Sequence, residues 1–463
     1  MDADRSGSEE KMKLNDKKVL VFGAGISGIG AAELLLNASA EVILYDGNET
    51  LVEAEIRAKL PESKRLSVVL GALSEEVLLE LDLAVLSPGV PTDLPAVSRI
   101  REKGIRIWGE VELAWVCGKG DVLAITGTNG KTTTTSLLGE IMKAWKEEVY
   151  VVGNIGTPYT GEAPKMTEQA VTVAEISSFQ LETIDTFAPK VTAILNITPD
   201  HLNRHHTLEE YIRVKESITK NQCSDDTCVL NYEDEILREF GTTVSVPVLY
   251  FSSERKLSKG LYLNGDQICW NDGTTERVIC KTGELNIPGK HNYENVMVAA
   301  GMAIAYGVPM EVIRKVVCAF QAVEHRIEYV TEKHGVVYYN DSKGTNPDAA
   351  IKGIQAMDRP TLLIGGGYDK ESSYEEWIQS FDGKVKYLVL IGQTKEKIAA
   401  AAKACGFESI VFADSLEEAV QFCAEHAVSG DAVLLSPACA SWGMFPNYEV
   451  RGRRFKELVN QLS

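Results

Sequence analysis

Gly130-Lys131-Thr132 sets an ammonium and a hydroxyl directly behind a glycine. In the stretch DVLAITGTNGKTTTT, residues 122–125 read as a buried strand, Thr126-Gly127-Thr128-Asn129-Gly130 as a tight loop, and the run from Lys131 as a helix. The free N–H groups and positive dipole end of such a helix favour an anion. Lys131 adds a full charge, and the Thr132 hydroxyl suits Mg²⁺. The spacing therefore predicts a nucleotide-phosphate loop built from Gly127, Thr128, Asn129, Gly130, Lys131, Thr132 and Thr133. The usual pattern has a glycine at position 125, where this chain has Ile125, so the loop is the shortened form GTNGKTT.

Other reactive residues follow the same strand-then-loop pattern. Glu175 ends an apolar strand at 171–174, where a carboxylate is costly unless paired, which makes it a metal-ligand candidate. His201, His205 and His206 lie in a loop after a strand at 191–195. They admit a zinc reading, but no helical His-Glu-x-x-His accompanies them. Lys215 falls on a helix expected at 208–219, where an ordinary lysine is solvated. Near the start, Gly23-Ala24-Gly25-Ile26-Ser27-Gly28 follows a strand at 18–22, and Asp46 closes a second strand. This is the dinucleotide fingerprint, a backbone suited to a pyrophosphate, whether of NAD or of a UDP-sugar.

These residues need several sheets to hold them. A chain of 463 residues suggests two to four domains. The expected architecture is α/β with three domains: a Rossmann-like domain at 1–109, whose first 14 residues read as a disordered leader, a central phosphate-loop domain at 110–322, and a Rossmann-like domain at 323–463. The central domain combines a parallel sheet with β-hairpin material over 229–278, and an apolar, buried helix is expected at 296–306. Lys and Arg number 47 against 66 Asp and Glu, a net charge of −19, which argues against nucleic-acid or membrane-surface binding and for a soluble protein, and the polar, charged start MDADRSGSEEKMKLNDKK with no long apolar run in the chain reads as cytoplasmic. Nine scattered cysteines show no metal-ligand clustering and read as free thiols, with Cys223 and Cys228 at most a weak pair and Cys439 a small buried residue.

Seven motifs in order, GTNGKTT (127–133), EISSFQLE (175–182), TPDHLNRH (198–205), PGKHNYEN (288–295), HRIE (325–328), NDSKGTNP (340–347) and LLSPACAS (434–441), resemble the Mur ligase family from about Lys17 to the end. The resemblance implies ATP-dependent joining of an amino acid to a UDP-linked muramoyl carboxylate through an acyl phosphate. The substrates it implies are UDP-N-acetylmuramoyl-L-alanine and D-glutamate, with ATP and Mg²⁺ as cofactors and a monomeric enzyme. By similarity, Lys131, His201 and Lys215 are catalytic, and Thr132, Glu175, His201 and a carbamate on Lys215 hold metal. His291, Asn292, Asn295, Arg326 and Asp341 join the phosphate loop around ATP. Gly25, Ile26, Ser27, Gly28, Asp46, Ser87, Pro88, Gly89 and Asn154 surround the UDP substrate. Lys343, Thr345, Lys370, Ser441 and Tyr448 surround the incoming amino acid. Asp46-Gly47-Asn48 is less basic than the corresponding turn of some relatives. A sister ligase adding another amino acid, an NAD-dependent oxidoreductase and a nucleotide switch are the competing readings.

Overall fold

The computed structural model describes residues 13–153, 157–287, 289–321, 324–357, 359–370 and 372–462. Its chain forms two compact units, one of residues up to 262 with 270–277 and 297–316, the other of residues 263–269, 278–296 and 317 onward.

The first unit opens with a parallel sheet of β1 (Lys18–Phe22), β2 (Glu41–Asp46), β3 (Leu66–Leu70), β4 (Leu83–Leu86) and β5 (Arg106–Gly109), in the order 3-2-1-4-5. Side chains alternate across a strand. Val19, Val21, Val42 and Leu44 accordingly enter one core, while Leu20, Phe22, Ile43 and Tyr45 enter another. Two buried faces explain why KVLVF and LAVL are nearly continuous apolar runs. Leu14 is buried in the first of these cores, and Lys17 N–H donates to its carbonyl. Leu14 thus packs into the core although it falls inside the stretch expected to be leader.

A nine-stranded sheet follows, from β6 (Asp121–Thr126), β7 (Val149–Gly153), β8 (Val171–Glu175), β9 (Val191–Ile194), β10 (Thr227–Asn231), β11 (Val248–Ser252), β12 (Gly260–Asn264), β13 (Gln267–Asn271) and β14 (Glu276–Lys281), in the order 14-13-12-11-10-9-6-8-7. The hairpin expectation for 229–278 is corrected in its first half. β10 and β11 pair in parallel, and the helix Glu235–Thr243, capped by Asp234, connects them. The apolar helix begins at Lys290 rather than 296 and runs to Tyr306, with Val296 to Ala300 fully buried.

The second unit carries β15 (Glu328–Lys333), β16 (Val336–Asn340), β17 (Thr361–Gly367), β18 (Val385–Gly392), β19 (Ile410–Phe412) and β20 (Ala432–Leu435), ordered 15-16-20-17-18-19. All of these pairs are parallel except β15 with β16. Leu363, Leu388 and Leu434 fill one side of the sheet, and Leu362, Val389 and Val433 the other.

The topology brings the reactive loops together within each sheet. Gly23–Gly28, Asp46 and Ser87–Gly89 leave the carboxyl ends of the neighbouring strands β1, β2 and β4. The loop from Gly127, Glu175 and Asn196 leave the neighbours β6, β8 and β9. Asp341–Thr345, Tyr368–Lys370 and Ser436–Ser441 leave β16, β17 and β20. Open α/β sheets bind ligands at such ends.

Candidate active site

Gly130 caps the helix Lys131–Lys143 from the left-handed region, φ 86°, with no side chain accepting from the first N–H groups. A side chain would be strained there, and a glycine loop entering a helix in this way is the backbone arrangement that suits an anion. The loop is fixed from behind by Asn196, whose Oδ1 accepts from Asn129 N–H (2.9 Å) and whose Nδ2 donates to Asn129 O (3.1 Å). Thr128 Oγ1 lies 3.1 Å from Tyr211 OH, donates to Thr198 O and accepts from Thr198 N–H.

Lys131 Nζ folds back over the loop and donates to Gly127 O (2.8 Å) and Thr128 O (2.9 Å). Lys215 Nζ donates to the same Gly127 oxygen at 2.8 Å and lies 4.6 Å from the centre of the Tyr211 ring. The solvated reading of Lys215 is overturned: its side chain is fully buried, from a helix at Leu208–Glu216 with a 3₁₀ turn to Thr219. Burial first, and the charge of Lys131 second, hold its amine well below the ordinary lysine range, with Asp200 opposing them.

Glu175 is 1% exposed and stands in register with Ile125 of β6. His201 has φ 54° and opens the single-turn helix Leu202–His205, and its ring meets Phe179 edge-on at 4.9 Å. His205 is buried against Ser178 Oγ (3.0 Å), and that burial lowers its pKa. Among the described residues no three His, Cys, Asp or Glu side chains converge as a metal site. A phosphate-bound Mg²⁺ makes a different demand, and the donors fit it. Thr132 and Glu175 offer hard oxygens beside the anion cradle, and Thr133 Oγ1 is buried with no hydrogen bond among the described residues.

In the first sheet, a Cβ on Gly28 would lie 1.7 Å from Gly23 O, so only glycine lets the helix Ile26–Asn37 sit this close to the strand end. Asp46 accepts from Ala24 N–H (2.9 Å) and Asn48 N–H (3.0 Å), so its carboxylate braces the glycine loop. Ser87 N–H donates to Phe22 O, and Ser87 Oγ reaches Gly23 O at 3.5 Å. Gly25 and Ile26 are exposed, while Ser27 is half-buried. Asn154 lies outside the described residues.

In the second unit, Asp341 is fully buried. It accepts from Ser436 Oγ (2.8 Å) and Ile327 N–H (3.3 Å), with Arg326 Nη1 at 3.8 Å. Burial raises its carboxyl to about 6 against the pull of Arg326. Lys343 Nζ rests 5.4 Å over the Tyr448 ring, and Thr345 N–H donates to Lys343 O. Lys370 Nζ lies 5.4 Å over Trp442, and main-chain bonds from Gly366 and Tyr368 to Pro437 and Ala440 zip its loop to that of Ser441. Asn292 and Asn295 are buried in the first turns of the helix from Lys290 and bond one another. His291 Nε2 is buried with no hydrogen bond among the described residues. Cys439 is buried, its Sγ against Tyr374 and Thr394 hydroxyls, and all nine cysteines are free.

Three positioning groups escaped sequence reasoning: Asn196, Tyr211 and Arg451. The Arg451 guanidinium is buried. It donates to Ser342 Oγ (3.0 Å) and to the carbonyls of Ser342 (2.8 Å) and Cys439 (3.2 Å), joining two of the loops. Its place on a charged helix, YEVRGRRF, reads as a surface position, and only the Tyr-Glu-Val-Arg spacing after the SPACAS loop signals otherwise.

The chain matches family models for the Mur ligase MurD-like N-terminal domain over residues 17–109, the Mur ligase middle domain over 125–303 and the Mur ligase glutamate ligase domain over 325–439. It belongs to the Mur ligase family. It is 60% identical over 451 residues to the UDP-N-acetylmuramoylalanine–D-glutamate ligase of Lachnoclostridium phytofermentans, covering 97% of this chain and 99% of that one. To the enzyme of the same name from Lachnospira eligens it is 57% identical, over 97% and 100% of the two chains. The UDP-N-acetylmuramate-alanine ligase of Thermotoga maritima shares the fold, with a TM-score of 0.60 at 19% identity over 96% of this chain and 99% of that chain. No helix among the described residues is long and apolar enough to cross a membrane.

Proposed function

We propose that this protein adds D-glutamate to UDP-N-acetylmuramoyl-L-alanine at the expense of ATP, in the cytoplasmic stage of peptidoglycan synthesis. The observation that carries the reading is the phosphate loop itself, with the Lys131 ammonium folded over Gly127 and Thr128 at the head of a helix that a left-handed glycine opens with no side-chain cap. The substrate name follows from the relatives of the same length.

A carboxylate is a poor acyl donor at neutral pH. One of its oxygens must first attack the γ-phosphorus of ATP, releasing ADP and forming an acyl phosphate. The glutamate amine then attacks the acyl carbon, and phosphate leaves with the oxygen that had bridged. Lys131, released from its loop carbonyls, neutralises charge on the phosphoryl group in flight, and the loop N–H groups hold the phosphates in line. Thr132, Glu175, His201 and a carbamate on Lys215 are the groups to hold Mg²⁺, which supplies charge neutralisation between the phosphates and the substrate carboxylate. The neutral amine is the form that reacts with CO₂, and the burial that lowers the Lys215 pKa favours that form, which supports the carbamate on Lys215. The ring and amides of His291, Asn292 and Asn295 suit the nucleoside, and Arg326, oriented by Asp341, suits the phosphates. Gly25 to Gly28, Ser87 to Gly89, Asp46 and Asn154 form the UDP side. The amino acid is assigned to Lys343, Thr345, Lys370, Ser441 and Tyr448, whose two ammonium groups match its two carboxylates. The enzyme works as a monomer in this reading.

ADP release measured with UDP-N-acetylmuramoyl-L-alanine across a panel of amino acids tests the proposal. It is expected with D-glutamate and far less with L-glutamate. Equal rates with both enantiomers, or with L-alanine, would overturn the substrate assignment.

A further inference from the structure

Arg204 is used nowhere in that mechanism, yet its guanidinium ties together two segments distant in sequence. Nε and Nη2 form a forked ion pair with Glu182, which lies just beyond the short helix after β8. Nη2 also donates to Val90 O at 2.9 Å, in the loop that leaves β4 of the first sheet, and the plane lies 5.0 Å from the centre of Phe179. The same Phe179 ring meets the His201 imidazole. Arg204 N–H closes the one-turn helix by donating to His201 O (2.9 Å), so Arg204 and His201 are joined both through that turn and through the shared aromatic ring.

The turn is held under strain. His201 at φ 54° and His206 at φ 65° flank it, both in a region that residues with side chains seldom adopt and that costs roughly 1–3 kcal/mol each. Such geometry persists where the surroundings over-determine it. Here the clamps are Arg204 on Glu182 and Val90, His205 on Ser178, and His206 Nε2 on Asp93 (3.1 Å). Two of these clamps, on Val90 and Asp93, reach into the segment that follows Ser87-Pro88-Gly89.

We infer that Arg204 is a positioning residue that couples occupancy of the UDP-substrate loop at Ser87–Val90 to the orientation of His201. The inference rests on the assignment of that loop to the UDP substrate. A substrate phosphate drawn to Ser87–Gly89 fixes the Val90 carbonyl, and that carbonyl fixes the guanidinium. The guanidinium in turn holds Phe179 and the turn that presents His201 to the metal. By linkage, metal with nucleotide must then tighten the UDP substrate.

Calorimetry tests this without turnover, by titrating UDP-N-acetylmuramoyl-L-alanine into the enzyme with and without Mg²⁺ plus a non-hydrolysable ATP analogue. In the wild type the pair should tighten substrate binding by about fivefold or more. In Arg204→Lys, which keeps the charge but loses the fork, the factor should fall below about two. Affinity for the nucleotide analogue without Mg²⁺, which does not call on His201, should stay at the wild-type value in that variant, which a general loss of structure would not allow. Glu182→Gln, which leaves the fork half-formed, should give an intermediate factor. A wild-type factor retained in Arg204→Lys, or no coupling in the wild type, would overturn the inference. Failure of the wild type to bind the UDP substrate at all would instead overturn the functional reading beneath it.

Discussion

Lys131 and Lys215 donate to one carbonyl oxygen, that of Gly127, each at 2.8 Å. Burial first, and repulsion between the two ammonium groups second, hold the Lys215 amine well below the ordinary lysine range. The two lysines thus differ in setting, Lys131 at the first position of the loop helix and Lys215 fully buried.

Lys131→Ala should lower kcat by roughly 10² or more, because the charge acts on the transferred phosphoryl group. The UDP-substrate loops are built on a different sheet, so calorimetric affinity for that substrate should be unchanged. A matching loss of substrate affinity would contradict the separation of the two sites.

Lys215→Ala should be nearly inactive and partly restored by acetate, a small carboxylate able to stand where the carbamate stood. In the intact protein, ¹³C-bicarbonate should give a carbamate carbon resonance that Lys215→Ala lacks. The depressed amine also sets a stability trend. Below the folded pKa both states hold the proton and the burial cost is fully present. As pH rises from there to the ordinary lysine value of about 10.4, only the unfolded chain keeps the proton, so stability should rise. Denaturant midpoints over that alkaline range should rise less in Lys215→Met.

Asp341 gives the opposite slope. Its folded pKa of about 6 lies above the ordinary aspartate value, so between about 3.9 and 6 the folded chain binds the extra proton and stability falls as pH rises. Asp341→Asn should remove that slope. Activity should lose an acid limb near pH 6 in the same variant, together with much of kcat, because the ionised carboxylate orients Arg326. An acid limb unchanged in Asp341→Asn would assign it to another group.

Gly28→Ala should destabilise the first sheet by about 1–3 kcal/mol, since its Cβ would fall 1.7 Å from Gly23 O. Thermal unfolding checks this. An unchanged midpoint would mean that the helix can retreat from the strand end at little cost.

What the sequence made legible was whatever is local. Apolar runs such as VLAI and LAVL announce central strands because both of their faces are buried, and glycine loops announce themselves by residue type. β3 and β15 escaped because they lie at sheet edges, where LSVVL and EYVTEK carry polar, partly exposed residues. β10 and β11 were mistaken for hairpin material because the helix Glu235–Thr243 between them is short and mostly polar at its end. Tyr211, Asn196 and Arg451 were invisible for another reason: the oxygens they hold belong to segments distant in sequence. The burial of Lys215 was equally non-local, since a lysine on a helix gains its meaning only from the loop it meets.

The most direct test of the account follows one oxygen atom. With the alanyl carboxylate of UDP-N-acetylmuramoyl-L-alanine labelled with ¹⁸O, ATP and D-glutamate, mass spectrometry of the released phosphate should find one ¹⁸O per phosphate at full label, transferred through the acyl phosphate. Phosphate free of ¹⁸O alongside amide product would contradict attack of the carboxylate on ATP and with it the role given to the Lys131 loop.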